Sequence, residues 1–175
     1  MADIWSHKKR SLVMGRIRSH DTKPELLVRS LLHRCGFRFS LRNRKLPGTP
    51  DVVLTRHRIV VFVHGCFWHQ HPGCIQARCP RSRKGYWQAK LARNVGRDRV
   101  KAALLEDLGW RVVVVWECEV LRDPQVAARR VVAATGAAPS FSYADLPDRA
   151  ACLEVADARW HQAMRRAGKG SPDYD

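Results

Sequence analysis

The sequence predicts an α/β protein, a mixed β-sheet core flanked by helices. Three observations carry this reading. Short β-branched runs at 51–55 and 58–63 bracket Arg56-His57 as a hairpin. A long helical stretch, roughly 84–108, leads into another apolar run at 110–116. Apolar residues make up 45% of the 175, enough for one domain with a buried core. The resulting order is α-β-β-β-α-β, with helices on the faces of the sheet.

The elements follow in turn. Residues 1–20, with Lys8, Lys9, Arg10, Arg16 and Arg18, read as a basic arm, short helical or flexible. Thr22-Lys23-Pro24-Glu25 predicts a capping box with proline in the first turn. The helix behind it should turn Leu26, Leu27, Leu31 and Leu32 inward, and Gly36 should stop it. Residues 37–41 alternate as a strand, and Leu46-Pro47-Gly48-Thr49-Pro50 is a turn before the hairpin. A loop then runs to about residue 83, and the long helix after it ends at Gly109. The run 110–116 is apolar at nearly every position, which predicts burial on both faces and a central place in the sheet. Beyond Cys118, helices are expected at 124–135 and 147–167 with a linker at 136–140, and 168–175 reads as a disordered tail. The catalytic core is placed at 21–120, with 121–167 a helical extension of the same domain.

Lysine and arginine outnumber the acids by 32 to 16, a formal charge of +16. Such an excess points to a polyanionic partner, most simply nucleic acid, bound with strong salt dependence. The N-terminus lacks the apolar stretch of a signal peptide, and no run reaches the length of a membrane span. The expectation is a soluble intracellular protein. In that setting six cysteines serve better as thiols or metal ligands than as disulfides.

The chemistry concentrates in His64-Gly65-Cys66-Phe67-Trp68-His69-Gln70-His71-Pro72-Gly73-Cys74. Thiols and imidazoles at short spacing suit a tetrahedral soft-metal site. Cys66, His71 and Cys74 fit half of a zinc site that Cys118 would close, while Cys79 competes as a ligand. Cys35 and Cys152 suit buried, unligated thiols. Two adjacent aromatics, Phe67 and Trp68, cannot both face inward, so at least one is displayed for stacking or wedging between bases. His69 is left over and could serve as a general base, and His64 could contact a phosphate, although on the residues alone structural or surface roles are the commoner reading for each. Asp51, after a proline at a strand mouth, would hold Mg²⁺ with backbone carbonyls and water. Trp87, Lys90, Asn94, Arg97 and Asp98 recur at helical steps as one polar stripe. That stripe would clamp phosphates and orient a histidine through Asp98, although Arg97 or Arg93 pairing with Asp98 on a solvated face is the plainer alternative. Across 76–101 nine Lys/Arg stand against one acid, which favours a surface that tracks a phosphate backbone.

Taken in order, Arg10-Ser11, Met14, Asp21-Thr22-Lys23-Pro24-Glu25, 46–51, 64–69, Trp87, Lys90, Asn94, Arg97-Asp98, Gly109-Trp110-Arg111 and 115–118 resemble the very-short-patch-repair (Vsr) mismatch endonucleases. The likeness covers about residues 8–120. It implies a restriction-endonuclease-like fold with a structural zinc site, and a bacterial, cytoplasmic, nucleoid-associated monomer. The implied reaction is a nick 5′ to the thymine of a T·G mismatch, the lesion left by deamination of 5-methylcytosine, in double-stranded DNA. Repair-pathway proteins are the implied partners.

Carried over residue by residue, Asp51 and the Val63 carbonyl would bind catalytic Mg²⁺. His69 would activate water, Glu25 would support the site, and His64 and Asp98 would engage the scissile phosphate region. Cys66, His71, Cys74 and Cys118 would bind zinc, and Met14, Phe67 and Trp68 would wedge beside the mismatch. Position 63 is valine where the family pattern has threonine, and the spacing from His71 to Cys74 is one residue longer. The lysine of the wider PD-(D/E)xK nucleases is absent after the third strand, which fits a histidine-based site. A restriction-type enzyme on matched duplex, and a non-catalytic zinc-stabilised DNA-binding protein, are the alternatives.

Overall fold

The structure, a computed structural model, describes residues 20–139 and 141–166. The basic arm, Met14 and the tail expected at 168–175 lie outside the described residues, except for His20. Four strands form one sheet in the order β1 (Ser40–Leu41), β2 (Val52–Leu54), β3 (Ile59–His64), β4 (Arg111–Trp116). The first two pairings are antiparallel and β3–β4 is parallel, so the sheet is mixed as expected. The helices are α1 (Lys23–Arg34), α2 (Lys84–Asp107), α3 (Glu117–Arg122), α4 (Gln125–Thr135) and α5 (Arg149–Arg166). None of the described helices is long and apolar enough to cross a membrane.

Alternation along the strands sorts the core into two layers. Val52, Leu54, Ile59, Val61, Val113 and Val115 pack with Leu27, Val28, Leu31 and Leu32 of α1 and with Ala127, Ala128 and Val131 of α4. On the other face Val53 and Val60 meet Leu105 of α2 and Trp110. The α1 stripe differs slightly from expectation, because Val28 is buried and Leu26 is half-buried. Leu146, Cys152 and Ala156 join the α1 layer, so α4 and α5 complete the core around the helix that carries Glu25. Cys35 and Cys152 are buried free thiols, and burial pushes Cys35 up to about 11.

Three expectations are corrected. The strand at 37–41 shortens to Ser40–Leu41; Phe37 and Phe39 turn to the α1 core instead. Among the described residues β4 is an edge strand, paired with β3 alone. Val113 and Val115 are buried, and Val112 and Val114 half-buried, because α2 and α4 cover it, and Arg130 Nη1 donates to the Val114 carbonyl at 2.7 Å. That side chain satisfies a carbonyl that a central strand would have paired.

The capping box at Thr22 does not form. Thr22 Oγ1 donates to Glu25 Oε1 at 2.8 Å, whereas Glu25 Oε2 accepts from the Asp21 amide at 3.0 Å and from Arg29 Nη2 at 2.6 Å. The carboxylate is drawn to a buried guanidinium instead of capping its own helix.

Gly48 governs the turn into β2. It sits at φ +78°, and a Cβ there would lie 3.0 Å from Lys101 Cδ and 3.1 Å from Phe62 Cζ. Gly48→Ala should therefore cost about 1–3 kcal/mol of stability from the left-handed backbone and crowding together, read as a lower denaturation midpoint. An unchanged midpoint would show that the turn can relax.

Candidate active site and metal centre

The site is built where β3 ends. His64, two residues beyond Phe62, falls on the α2 side of the sheet by alternation. A cleft of about 620 Å³ opens there, lined in part by Glu25, Asp51, His64, His69, Asp98 and Lys101. The hairpin positions Asp51 opposite the end of β3, where its Oδ2 accepts the Val63 amide at 2.8 Å. Burial, reinforced by the charge of Glu25, raises the Asp51 carboxyl from 3.8 to about 6, against the partly offsetting amide. Two carboxylates converging in a half-closed cleft form a site that calls for a cation.

His69 Nδ1 lies 2.6 Å from Asp98 Oδ2. A carboxylate only accepts, so Nδ1 carries the hydrogen and Nε2 keeps its lone pair. The His64 and His69 rings stack at 3.9 Å and 8°. Burial, then the neighbouring His69, pulls His64 down to about 4, leaving it neutral at physiological pH. Asp98 thus meets His69 directly, as the stripe reading allowed; Arg97 pairs with Asn94 instead.

A second cleft, of about 840 Å³, shares Glu25, Val63, His69, Asp98 and Lys101 with the first and extends past Trp68, Trp87 and Lys90. Phe67, Trp68 and Trp87 form an aromatic cluster with centroids 5.0–6.2 Å apart, all half-buried. Lys90 Nζ stands 5.3 Å from the Trp68 ring and 5.4 Å from Trp87. Asn94 Nδ2 donates to the Trp68 carbonyl at 3.1 Å, so this side chain anchors the aromatic loop to α2.

In the same loop and at the start of α3, Cys66, His71, Cys74 and Cys118 bring their ligand atoms within 4.8 Å of one another. Cys118 Sγ is 3.3 Å from His71 Nδ1 and 3.9 Å from Cys74 Sγ, and Cys66 Sγ is 3.7 Å from His71 Nδ1. Cys79 lies apart, its thiol 3.7 Å from the Pro80 carbonyl. Burial pushes the Cys66 thiol up to about 12, so a thiolate there needs a cation beside it. This group can bind a metal ion, and its sulfur-rich donors fit zinc. His71 is further fixed by stacking on Trp116 at 4.2 Å.

Sequence reasoning missed Arg29, Arg42 and Lys101. Buried Arg29 grips Asp21 and Glu25, both at 2.6 Å, and Arg42 lines the first cleft. Lys101 faces both clefts. It continues the 94-97-98 stripe by one more helical step, so the signal was present.

A carboxylate cleft served by a histidine–aspartate pair and flanked by a cationic helix has the make-up of a metal-assisted nuclease. Residues 2–76 match the family model of the DNA mismatch endonuclease Vsr. The chain is 51% identical over 120 residues to the type II nicking enzyme V.XorIIP of Xanthomonas oryzae pv. oryzae, covering 69% of this chain and 88% of that one. It is 44% identical over 131 residues to the type II nicking enzyme V.NmeAIP of Neisseria meningitidis serogroup A, covering 75% and 92%. With the DNA mismatch endonuclease Vsr of Escherichia coli it shares 43% identity over 118 residues, covering 67% and 75%. The chain belongs to the Vsr DNA mismatch endonuclease family.

Proposed function

We propose that this protein nicks one DNA strand 5′ to the thymine of a T·G mismatch by Mg²⁺-dependent hydrolysis, starting very short patch repair. The observation that carries the reading is the His69–Asp98 pair lining one cleft with Asp51. Family membership supplies mismatch endonuclease activity, and nicking is what the names of two of the relatives describe.

In this mechanism His69 Nε2 takes a proton from the attacking water, and Asp98 stabilises the imidazolium that results. The water oxygen bonds to phosphorus as the bond from phosphorus to the leaving sugar oxygen breaks, and that oxygen picks up a proton from solvent. Neutral His64 contacts the scissile phosphate. Asp51 and the Val63 carbonyl are the residues that would hold Mg²⁺, with Glu25 supporting them. When bound, the ion neutralises charge developing on the phosphate oxygens. Lys90 and Arg97 track the backbone, and Asn94 holds the loop that presents the aromatics. Cys66, His71, Cys74 and Cys118 hold structural zinc, which pins that loop.

Phe67, Trp68 and, from the arm outside the described residues, Met14 form the wedge. A wobble pair is cheaper to unstack than a matched one, so a wedge favours the mismatch. The double variant Phe67→Ala, Trp68→Ala should weaken mismatch binding on the order of tenfold or more, at about 1–3 kcal/mol per lost base stack, while matched-duplex binding changes little. Equal losses on both duplexes would assign these rings to packing.

We place this chemistry on a restriction-endonuclease-like fold in a monomer working in the cytoplasm at the nucleoid. Residues 21–120 form the catalytic core, and the helices beyond it belong to the same unit, since they share its hydrophobic core. The test is cleavage of an end-labelled duplex carrying one T·G mismatch, beside its matched control, across several flanking sequences with Mg²⁺. A single nick 5′ to the thymine is expected on the mismatched duplex alone. Cutting of both duplexes would indicate a restriction-type enzyme, and binding without cutting in every context would refute the catalytic assignment.

A further inference from the structure

His64, His69 and Asp98 each offer one ligand atom, and the three lie within 4.8 Å of one another. Two imidazoles and a carboxylate suit a borderline transition ion, and they leave coordination positions open. Asp51 and Glu25 offer only oxygen and suit Mg²⁺. The two donor sets line one cleft but differ in chemistry, so different ions should choose differently between them.

We propose that His64, His69 and Asp98 form a second metal site that takes Zn²⁺ or a similar transition ion and silences nicking while it is held. The proposal rests on the reading of His69 as the base. An ion there occupies the His69 imidazole or draws Asp98 away from it, and either outcome removes the base from use. His64 is fixed at the end of β3 by its pairing with Trp116. The parallel stack on His69 aims the in-plane lone pairs of the two rings side by side, so ligation requires the partly exposed His69 ring to turn out of the stack. Zn–N bonds of about 2.0–2.1 Å place tetrahedral donors roughly 3.3 Å apart. The present separations therefore need to close by about an ångström and a half at most. His69 and Asp98 are partly open to solvent, with side chains 29% and 23% exposed, so an ion can reach them. Mg²⁺ competes poorly for imidazole nitrogen, so trace zinc should act even against abundant magnesium.

The experiment is a zinc titration of the purified full chain by equilibrium dialysis, with excess Mg²⁺ present throughout. Wild type should bind one Zn²⁺ per chain more than His64→Ala and more than Asp98→Asn, while Asp51→Asn should match wild type. Each variant is checked for native circular dichroism, and the conservative Asp98→Asn guards against misfolding of His64→Ala. Equal zinc in wild type and both site variants, or loss of the extra ion in Asp51→Asn alone, overturns the site. On a T·G duplex, zinc that fills the site should slow wild-type nicking roughly tenfold or more despite excess Mg²⁺. Unchanged nicking with the extra ion bound overturns the inhibitory role. A wild type that binds the extra ion but never nicks refutes the function proposed above while leaving the metal site standing.

Discussion

Asp51→Asn is expected to abolish nicking and, unusually for an active-site change, to stabilise the protein in magnesium-free buffer. Loss of activity follows from removing the carboxylate assigned to Mg²⁺. The gain in stability follows from the raised carboxyl, which burial and Glu25 move from 3.8 to about 6. A carboxylate with a raised folded value is less comfortable ionised in the fold than in the unfolded chain. Its cost is absent below the unfolded value and fully present above the folded one. At pH 8 the variant should therefore gain on the order of 2 kcal/mol, and the gain should fade as pH falls from about 6 towards 4. Asparagine keeps an oxygen for the Val63 amide, so the hydrogen bond survives. Thermal denaturation of both proteins at pH 8 and pH 4.5, with zinc retained, measures this. A variant less stable than wild type at pH 8 would show that the amide contact outweighs the repulsion.

Cys118→Ala should release zinc and unfold the protein at ordinary temperatures. Structural zinc sites contribute on the order of 10 kcal/mol in small domains, comparable to the whole stability of a typical one. Cys118 reaches the cluster from a separate part of the chain, 44 residues after Cys74, so no neighbour replaces it. Cys79→Ala provides the contrast, because its thiol sits outside the cluster; it should keep both zinc and fold. Metal content by atomic absorption with circular dichroism decides the matter. A folded, zinc-replete Cys118→Ala protein, or zinc loss in Cys79→Ala, would redraw the ligand set.

Long periodic elements and the turn-marked hairpin were legible, and short elements without such a marker were not. The α2 helix spans Lys84–Asp107 and stops before Gly109, close to the 84–108 expected from its pattern. The hairpin around Arg56-His57 also forms, with a short 3₁₀ turn at Thr55–His57. By contrast α3, six residues long, is too short for helical periodicity to register. The edge position of β4 was hidden because an apolar run reports burial, not pairing, and α4 supplies that burial from beyond the recognisable region. Glu25 looked like a capping residue because the motif records spacing; the competing partner, Arg29, acts through burial that local pattern does not reveal. The chemical residues were easier to single out, since imidazoles, thiols and carboxylates advertise their chemistry in their side-chain type. Their joining, such as Asp98 of α2 with His69 of the loop, depends on the crossover packing of α2 on the sheet.

The cluster of Cys66, His71, Cys74 and Cys118 also orders events in time. It straddles the ends of two parallel strands, with three donors after β3 and the fourth at the start of α3. A ribosome adding about 5–20 residues per second delivers Cys118 roughly two to nine seconds after Cys74. During that interval β4 is still being made, and the loop carrying His69 has neither its neighbouring strand nor its last ligand. On the His69 and zinc assignments proposed above, competence to cut DNA should therefore arrive late in synthesis, with a nascent chain a poor nuclease until its second parallel strand has emerged.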